Sequence, residues 1–302
     1  MIRVVFFGDA QSFISTVLFK SFANTLNDDF DLVAIINTNS TKYKSNFKVR
    51  LLNYLYVISN LSLRVLSLDL FKSFERYSLP NVDFIEADNI NDEDFVNKIK
   101  KYNPDYAFLM GCPQIVRPLL LKSFKAVINY HNSFLPAYRG LEATSWEMTR
   151  KELNSGFTFH FVNEFIDDGN ILIQKKVQID YNLSSLHNEL IKTKIAASQI
   201  NDLLINVAAS YKGKKQIGKA SYFGNREKRE LLTFTVFDDV DKVSNLIKIW
   251  GGVFLKSSGK TLWITKIDSL GKVRQIAHLY PFIYFFIKGE IIYFFRVWCQ
   301  SK

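Results

Sequence analysis

The order of apolar and polar positions near the start of the chain predicts alternating strands and helices. Residues 2–7 form an apolar run typical of a buried strand, residues 13–26 repeat with a helical period, and residues 31–38 are again strand-like. Gly8 marks the turn between the first strand and the helix. Strand, turn, helix and strand in this order predict a right-handed βαβ unit. The turn lacks the GxGxxG pattern, so a dinucleotide site is not predicted.

The same alternation continues over most of the chain. Residues 82–111 predict strand, helix and strand, and Asn91 or Asp92 is suited to cap the helix, whose first turn is acidic. Residues 43–80 have a mostly helical apolar rhythm and indicate a helical insertion. We therefore predict an α/β fold with a doubly wound, mostly parallel, Rossmann-like sheet over residues 1–211. Its further expected elements are a helix near 117–125, strands at 126–131, 156–162 and 171–179, and one long amphipathic helix from 184 or 185 to 211.

The pattern changes after residue 211. A basic stretch at 212–229 is followed by short apolar runs with glycine-containing turns between them. This predicts a small, mostly-β C-terminal domain at residues 212–302, either barrel-like or used for dimerisation. The aromatic stretch 279–298 is interrupted by Lys-Gly-Glu, and we interpret it as two strands joined by a turn. An interfacial membrane anchor is the alternative interpretation of the same stretch.

Composition narrows the class of protein. The chain has 302 residues, 48% of them hydrophobic, which is enough for a sizeable core. No apolar run is typical of a leader peptide or long enough for a membrane-spanning helix. Cys112 and Cys299 belong to no paired motif, so we predict neither disulfides nor a metal site and expect a cytoplasmic protein. The net charge of +10 favours nucleic acid, a phosphorylated small molecule or anionic lipid as partner, or is simply a solvated basic surface.

Polar chemistry concentrates at the end of the strand predicted at 126–131. Asn129 and His131 lie two residues apart, so both side chains point to one face, at the carboxyl edge where open α/β sheets bind ligands. Asp167 and Asp168, in a tight acidic loop, are the carboxylates available to orient the imidazole. The amide can donate a hydrogen bond to a developing oxyanion, the imidazole can move a proton, and the carboxylate can raise the pKa of the imidazole.

These residues are not accompanied by a recognisable nucleophile motif. Ser133 lies nearby in the sequence, but no GxSxG elbow surrounds it. This favours direct transfer between two bound substrates, without a covalent enzyme intermediate. The alternative interpretation is that His131 is a hydrogen-bonded structural histidine, the commoner role of a histidine near a strand end.

Two longer segments carry a family resemblance. NYHNSFLPAYRG and GFTFHFVNEFIDDGNIL resemble the motifs of folate-dependent formyltransferases. The family pattern has Asn-x-His, then Ser-x-Leu-Pro-x-Tyr-Arg-Gly, then a glycine before a threonine-containing strand, then a loop aspartate before Gly-x-Ile-Leu. Asp167, 36 residues after His131, matches the loop aspartate, while Ser155 stands where threonine is common. The resemblance covers residues 1–180 and is weaker in the C-terminal third, which resembles the β-barrel domain of several members.

The resemblance implies a catalytic set of Asn129, His131 and Asp167 and a formyl donor, N10-formyltetrahydrofolate. The donor is expected in a cleft between two loops, whose backbone meets the pterin edge and whose apolar side chains flank the pterin faces. The implied donor-binding residues are Met110, Gly111, Cys112, Pro113, Gln114, Ile115 and Val116 in the first loop and Asn163 and Ile166 in the second.

Details of the motifs resemble the branch of the family that formylates amino sugars on nucleotides. Asn132 follows His131, Leu141 follows the Arg-Gly pair, and Phe159 and His160 stand where the tRNA branch has Ile-Met. The implied acceptor is an amino-deoxysugar on a nucleotide, dTDP in our prediction, for surface polysaccharide (O-antigen) synthesis by a homodimer. The residues expected to bind the diphosphate of this acceptor are Gly8, Ala10, Gln11 and Ser12, through free amides of the loop 8–12, and Arg139 beside Tyr138. The base is expected to stack on Tyr222 or Phe223, with Arg226 nearby.

Other interpretations of the sequence stay open. Methionyl-tRNA formyltransferase is the alternative within the family, since the net charge and the basic stretch 212–229 fit contact with RNA. A formyltetrahydrofolate hydrolase, in which water replaces the amine, is a third. Core packing is the alternative role of Tyr222 and Phe223. The alternative from another class is a non-enzymatic folate- or nucleotide-binding protein, which would not need three polar residues at this spacing.

Overall fold

The computed structural model of the protein describes residues 1–10, 12–38, 79, 81–235, 239–257, 260–269, 283–288 and 291–298. The helical insertion predicted at 43–80 lies outside these residues apart from Leu79. Gln11, Cys299 and the turn predicted at 289–290 also lie outside them.

Fourteen strands and eight helices make up the described part of the chain. The strands are β1 (Ile2–Gly8), β2 (Phe30–Asn37), β3 (Asp83–Glu86), β4 (Tyr106–Leu109), β5 (Ala126–His131), β6 (Arg139–Gly140), β7 (Asn154–Phe161), β8 (Ile171–Gln178), β9 (Tyr222–Phe223), β10 (Thr233–Thr235), β11 (Val253–Ser257), β12 (Lys260–Ser269), β13 (Ile283–Lys288) and β14 (Ile291–Trp298). The helices are α1 (Phe13–Thr25), α2 (Glu93–Lys100), α3 (Pro118–Leu121), α4 (Ala143–Thr149), α5 (Ser185–Ala197), α6 (Ile200–Ala208), α7 (Asn225–Leu232) and α8 (Val240–Trp250).

A mostly parallel sheet forms the centre of the first half of the chain. Among the described strands, seven pair in the order β3-β2-β1-β4-β5-β7-β8. The pairs from β3 to β5 are parallel, whereas β7 and β8 are antiparallel to their neighbours. The interior strand β1 is apolar along most of its length, as expected for a strand covered on both faces. The predicted mostly parallel α/β sheet is confirmed.

Side chains from the two faces of β1 enter separate hydrophobic cores, so the sheet is doubly wound as predicted. On one face, the ring of Phe6 packs against Phe19 of α1 with centroids 4.9 Å apart. On the other face, the ring of Phe7 lies 6.3 Å from that of Phe95 at the start of α2. Helices α5 and α6 complete the first core, and α2 and α3 complete the second. Because side chains alternate along a strand, one apolar run supplies both cores.

The single long helix expected up to residue 211 is instead two helices, so that prediction is wrong. Helix α5 ends at Ala197 and α6 begins at Ile200. Between them, the hydroxyl of Ser198 donates to the carbonyl oxygen of Ile195 at 2.7 Å. A serine hydroxyl that bonds the backbone in this way competes with the regular helical hydrogen bonds and favours a turn.

The chain divides into two compact units. The first comprises Met1–Gly140, Leu153–Asp180 and His187–Tyr222, and the second comprises Leu141–Glu152, Tyr181–Leu186 and Phe223–Lys302. The stretch 212–222 thus belongs to the first unit, and a domain boundary at residue 212 stays a prediction.

The second unit contains a sheet of the strands β10-β11-β12-β14-β13, in that order. Strands β13 and β14 pair antiparallel, which agrees with the two strands predicted in the aromatic stretch. A small apolar core forms beside this sheet, with Val243 and Leu246 of α8 packed with Val253 and Leu255 of β11. No helix in the described part of the chain has both the length and the apolar character needed to cross a membrane.

Candidate active site

The polar residues of β5 lie where the parallel part of the sheet meets the antiparallel strand β7. Asn129 is opposite Leu109 of β4 on one side and His160 of β7 on the other. His131 is opposite Thr158 of β7. Because β4 ends at Leu109 and β7 ends one residue after His160, the loops that follow these strands leave the sheet on either side of Asn129.

The carboxylate of Asp167 meets both polar side chains of β5. Its Oδ1 accepts a hydrogen bond from Nδ2 of Asn129 at 3.4 Å, and its Oδ2 lies 3.5 Å from Nδ1 of His131. His160 joins them, with Nε2 3.1 Å from Nδ2 of Asn129 and 3.5 Å from Oδ1 of Asp167. The backbone N–H of Gly140 donates to Oδ2 of Asp167 at 2.8 Å. The structure thus brings the predicted catalytic set together, while its catalytic role stays a prediction.

Burial sets the electrostatics of this cluster. His131 is 6% exposed and His160 is 1% exposed. Burial lowers the pKa of the His131 imidazole, and the charge of Asp167 offsets this only in part. Burial acts to raise the pKa of Asp167, but the neighbouring imidazoles of His131 and His160 and the N–H of Gly140 together hold that pKa below its ordinary range. At neutral pH the cluster therefore holds an ionised carboxylate beside a neutral His131.

The contacts of the His131 ring indicate which nitrogen carries its proton. Nε2 lies 2.8 Å from the carbonyl oxygen of Tyr138, which can only accept a hydrogen bond, so the neutral ring is protonated at Nε2. The lone pair is then on Nδ1, whose 3.5 Å separation from Asp167 is longer than an ordinary hydrogen bond. A proton taken up at Nδ1 would form an ion pair with Asp167. His131 therefore has the geometry of a proton acceptor whose charged form the aspartate stabilises.

A buried lysine supports the turn that follows His131. Nζ of Lys192 donates to the carbonyl oxygen of Asn132 at 2.5 Å and to Oγ of Ser155 at 2.6 Å. Lys192 is 1% exposed, and its charge acts with burial to lower the pKa of His131. The lysine thus both fixes the backbone next to the imidazole and favours the neutral ring.

Neither Ser133 nor Cys112 is activated as a nucleophile. The hydroxyl of Ser133 donates to the carbonyl oxygen of Ala137 at 2.7 Å, within its own turn. Burial raises the pKa of the Cys112 thiol to about 11, so the thiolate is absent at neutral pH. These contacts agree with the expected direct transfer between substrates.

The loop that carries Asp167 is held in place by a glutamine from a distant segment. Nε2 of Gln216 donates to the carbonyl oxygens of Asp167 and Gly169, at 2.8 Å and 2.9 Å. Asp167 itself has φ of +51°, in the left-handed region that non-glycine residues rarely adopt. A Cβ on Gly169 would lie 1.8 Å from the carbonyl oxygen of Phe161, so only glycine fits there. The loop conformation thus depends on contacts beyond its own sequence.

Arg139 is tied into the same loop. Its Nη2 lies 2.5 Å from Oδ1 of Asp168 and donates to Oε1 of Gln216 at 2.7 Å. The side chain is 17% exposed. Its predicted role in binding a diphosphate therefore requires that a ligand displace Asp168. The neighbouring Tyr138 is 8% exposed and supplies its carbonyl oxygen to His131 rather than an open ring to a substrate.

The first predicted donor loop is fastened to the sheet by Gln114. Its Nε2 donates to the carbonyl oxygen of Thr38 at 2.7 Å, and its Oε1 accepts from the N–H of Ile90 at 3.0 Å. The carboxamide is thus bonded inside the protein instead of free for a ligand. Met110 is fully buried. The side chains of these two residues shape the loop, and the contact of the loop backbone with the donor stays a prediction.

Exposed apolar side chains lie on both predicted donor loops. Ile115 is 66% exposed, Ile166 is 41% exposed and Phe165, which was not predicted, is 71% exposed. Covering such side chains with a flat ring system is favourable. Asn163 stabilises its own turn, with Oδ1 accepting from the N–H of Phe165 at 3.0 Å. Of the other predicted donor-binding residues, Gly111, Cys112 and Val116 are half-buried and Pro113 is exposed.

The loop after β1 uses its amides inside the protein. The N–H of Asp9 donates to Oγ of Ser15 at 3.0 Å, and the N–H of Ala10 donates to Oδ1 of Asn37 at 3.1 Å. The N–H of Ser12 bonds back to the carbonyl oxygen of Asp9 at 2.9 Å. The amides of these residues are therefore bonded inside the protein, and the role of Ala10 and Ser12 in holding a phosphate stays a prediction.

Gly8 in the same loop has a packing role. A Cβ there would lie 2.9 Å from a ring carbon of Phe6 and 3.2 Å from the carbonyl oxygen of Met110. Glycine is needed for this close approach of β1 to its neighbours. The remaining predicted residue of the loop, Gln11, lies outside the described residues.

The residues predicted to bind the nucleotide base have different surroundings. Phe223 is 6% exposed, and its ring stacks on Trp146 with centroids 4.6 Å apart, so its role is packing. Tyr222 is 52% exposed and keeps an open ring. Arg226 is exposed, and its Nε lies 3.1 Å from Oε1 of Glu230. The contacts of Phe223 agree with the alternative of core packing, and Tyr222 stays the candidate stacking residue.

Two residues of the site, His160 and Gln216, were not predicted from the sequence. His160 had a usable signal, because Thr158 and His160 are polar at alternate positions of an otherwise apolar strand. That pattern places them on one face, as it does for Asn129 and His131. Gln216 gave no such signal, since it stands in an irregular basic stretch whose contacts are set by tertiary structure.

Comparison with known proteins identifies the class to which this fold and site belong. Residues 3–199 match the family model described as formyl transferase. This match covers well over half of the chain, and the chain therefore belongs to the formyl transferase family. The resemblance stated from the sequence motifs is confirmed.

Two relatives illustrate the range of the family. The chain is 28% identical over 202 residues to the methionyl-tRNA formyltransferase of Finegoldia magna, with 64% of this chain and 63% of that enzyme covered. It is 27% identical over 202 residues to the GDP-perosamine N-formyltransferase of Brucella melitensis, with 63% of this chain and 75% of that enzyme covered. The chain thus spans somewhat less than two thirds of the first relative and three quarters of the second.

A solved structure shares the fold of this chain. The N-formyltransferase of Helicobacter canadensis, in complex with folinic acid and dTDP-3-aminofucose, has a TM-score of 0.58 with this chain. The superposition covers 99% of this chain and 100% of that one, at 17% sequence identity. At this identity the likeness shows a common fold.

Proposed function

We propose that this chain is an N-formyltransferase that moves the formyl group of N10-formyltetrahydrofolate to the amine of a nucleotide-linked amino-deoxysugar. The observation that carries the proposal is the contact of Asp167 with both Asn129 and His131, in a member of the formyl transferase family. These three side chains supply an amide donor, a proton acceptor and a carboxylate, which are the groups that acyl transfer to an amine requires.

In the proposed reaction, the amine nitrogen of the acceptor attacks the formyl carbon and the formyl oxygen takes up negative charge. Asn129 is half-buried and donates an N–H to this oxyanion. His131 accepts the proton that the amine loses, and Asp167 stabilises the resulting imidazolium. The bond between the formyl carbon and N10 then breaks, and the proton passes to the departing folate nitrogen. Atoms and charges balance without a covalent enzyme intermediate.

The folate donor is proposed to lie between the loops that follow β4 and β7. Both loops leave the sheet beside Asn129, and both carry exposed apolar side chains, Ile115 on one and Phe165 and Ile166 on the other. The Helicobacter enzyme was solved with folinic acid, a formylated folate, which supports a folate donor for this chain as well. The donor would bring its formyl carbon to the amide of Asn129.

The acceptor is proposed to be an amino sugar carried by a nucleotide, with dTDP as the first choice. The Brucella relative acts on GDP-perosamine and the Helicobacter neighbour was solved with dTDP-3-aminofucose, so both handle nucleotide-linked sugars. Tyr222, with an open ring, is proposed to stack on the base. Such a product would feed the synthesis of surface polysaccharide, and the enzyme would work in the cytoplasm as a homodimer.

Transfer to methionyl-tRNA is the second candidate function. The Finegoldia relative is a methionyl-tRNA formyltransferase. Lysines of the stretch 212–222 also support it, since Lys212, Lys214, Lys215 and Lys219 are all exposed. Exposed cations of this kind suit the phosphate backbone of RNA.

The test is a product assay with N10-formyltetrahydrofolate and separate acceptors. The acceptors are dTDP-linked and GDP-linked amino sugars, methionyl-tRNA, and water alone as the control for donor hydrolysis. We expect mass spectrometry to show a formyl group on an amino sugar and no formylated tRNA. Formylation of tRNA alone would establish the second candidate, and donor consumption without any acceptor would indicate a hydrolase.

A further inference from the structure

His160 touches the amide of Asn129 from the neighbouring strand. The two residues are directly opposite each other in the antiparallel pairing of β5 and β7. Nε2 of His160 lies 3.1 Å from Nδ2 of Asn129. His160 is 1% exposed, so this ring acts on the reaction through its protein neighbours.

The other ring nitrogen of His160 is committed to the backbone. Nδ1 lies 2.7 Å from the carbonyl oxygen of Phe161, and a carbonyl can only accept, so Nδ1 carries a proton. In a neutral ring the lone pair is then on Nε2. This is the opposite tautomer from that of His131, whose Nε2 faces the carbonyl oxygen of Tyr138.

Asp167 determines which end of the Asn129 amide faces His160. Oδ1 of Asp167 lies 3.4 Å from the terminal amide atom of Asn129, and a carboxylate oxygen attracts the NH2 group and repels the carbonyl oxygen. The same NH2 group faces Nε2 of His160 at 3.1 Å and needs a lone pair there. A hydrogen bond between Nε2 of His160 and Oδ1 of Asp167, which are 3.5 Å apart, would instead need a proton on Nε2. Because the contact with Asn129 is the shorter of the two, at 3.1 Å, we infer that Nε2 carries a lone pair.

We propose that His160 is a positioning residue that accepts a hydrogen bond from one of the two N–H groups of Nδ2 of Asn129 and so holds the amide with its NH2 group, not its carbonyl oxygen, on the side of Asp167. The second N–H makes the long 3.4 Å contact with Oδ1 of Asp167 and turns to the formyl oxygen when that oxygen takes up charge. The hydrogen bond to Nε2 of His160 prevents the amide from rotating. A rotated amide would present its carbonyl oxygen to the oxyanion, and the two oxygens would repel each other. The inference rests on the proposed formyl transfer for its catalytic meaning, whereas the tautomer and the hydrogen bond are properties of the protein alone.

The tautomer is measured first, by NMR of the imidazole nitrogens in protein labelled with 15N-histidine near neutral pH. The chain has four histidines, so single substitutions assign the signals. We expect a protonated Nδ1 and an unprotonated Nε2 for His160. A proton on Nε2 overturns the proposal, and this readout stays decisive even if the protein transfers no formyl group to any acceptor tested.

Steady-state kinetics of formyl transfer then compare the variants His160→Gln and His160→Leu. The glutamine carbonyl can accept from Asn129 and leucine cannot, so we expect His160→Leu to lower kcat roughly tenfold or more and His160→Gln to restore most of it, with the KM of the donor little changed. His187→Gln is the matched control, because His187 is also buried, at 4% exposed, and lies outside the cluster. Equal losses for the Gln and Leu variants at His160 overturn the proposal.

A double substitution separates positioning from a merely structural role. If His160 acts through Asn129, His160→Leu should cause no further loss of kcat in an Asn129→Ala background. A loss in that background as large as in the parent would show that His160 acts by another route and would contradict the proposal. Melting temperatures of all variants report whether the fold is retained.

Discussion

Nδ1 of His131 lies 3.5 Å from Oδ2 of Asp167, although 36 residues separate them in the chain. The contact joins the end of β5 to the loop after β7. It is too long for an ordinary hydrogen bond, and the proton of the neutral ring belongs on the other nitrogen. The pair is therefore arranged to gain an ion-pair contact when His131 takes up a proton, which is what a general base needs.

The pH dependence of formyl transfer should follow the lowered pKa of His131. Burial lowers this pKa below the ordinary value of about 6.5, so the ring stays neutral as the pH falls toward that value and is protonated only below it. Because the neutral ring is the base, we expect kcat/KM to be constant near neutral pH and to fall with a midpoint below about 6.5. An acidic limb with its midpoint above that value would mean that His131 is not the base.

Gln216 should be needed for turnover through its contacts with the backbone of the Asp167 loop and with Arg139. Gln216→Ala removes two hydrogen bonds from a loop whose aspartate has a left-handed backbone, and we expect kcat to fall about tenfold through loss of alignment. Gln216→Glu keeps the acceptor for Arg139 but turns a carboxylate toward two carbonyl oxygens, so it should not restore activity. Steady-state kinetics are the measurement.

The control for Gln216 is its neighbour Ile217. This side chain is 89% exposed, so Ile217→Ala removes comparable bulk without a buried contact. We expect wild-type kinetics from this variant. If the two alanine variants behave alike, the glutamine does not hold the catalytic loop.

Phe223 and Tyr222, adjacent in sequence, should respond differently to alanine. Phe223 is buried against Trp146, so Phe223→Ala should lower the free energy of unfolding by about 3–5 kcal/mol. Tyr222→Ala removes an exposed ring and should change that free energy by less than about 1 kcal/mol. Urea unfolding measures both values.

The acceptor KM provides the second readout for this pair. If Tyr222 stacks on the nucleotide base, Tyr222→Ala should raise the KM of the sugar nucleotide and leave the KM of the folate donor unchanged. An unchanged acceptor KM would remove Tyr222 from the proposed binding site.

The sequence predicted those features that depend on local periodicity. The apolar run of β1 predicted a strand covered on both faces, and the two-residue spacing of Asn129 and His131 predicted a shared face. The family motif then indicated Asp167 among two adjacent aspartates. In the structure Asp167 meets the histidine, and Asp168 pairs with Arg139.

Features set by tertiary contacts were not predictable in the same way. The amides of Asp9 and Ala10 looked available for a phosphate, yet Ser15 and Asn37 satisfy them. Phe223 was predicted to stack on a base because a single aromatic residue in a short apolar run does not reveal whether its side chain is buried. In the structure it is buried, at 6% exposed. In each case the deciding partner comes from another part of the chain.

The comparison of Asp167→Asn with Asp168→Asn in single-turnover formyl transfer tests the central claim most directly. Both variants carry the same chemical change at neighbouring positions of one loop. Asp167 contacts Asn129 and His131, whereas Asp168 is 38% exposed and pairs with Arg139. We predict that Asp167→Asn slows transfer on the order of a hundredfold or more, since the imidazolium loses its counter-charge, and that Asp168→Asn stays close to wild type. Equal losses in the two variants would contradict the account.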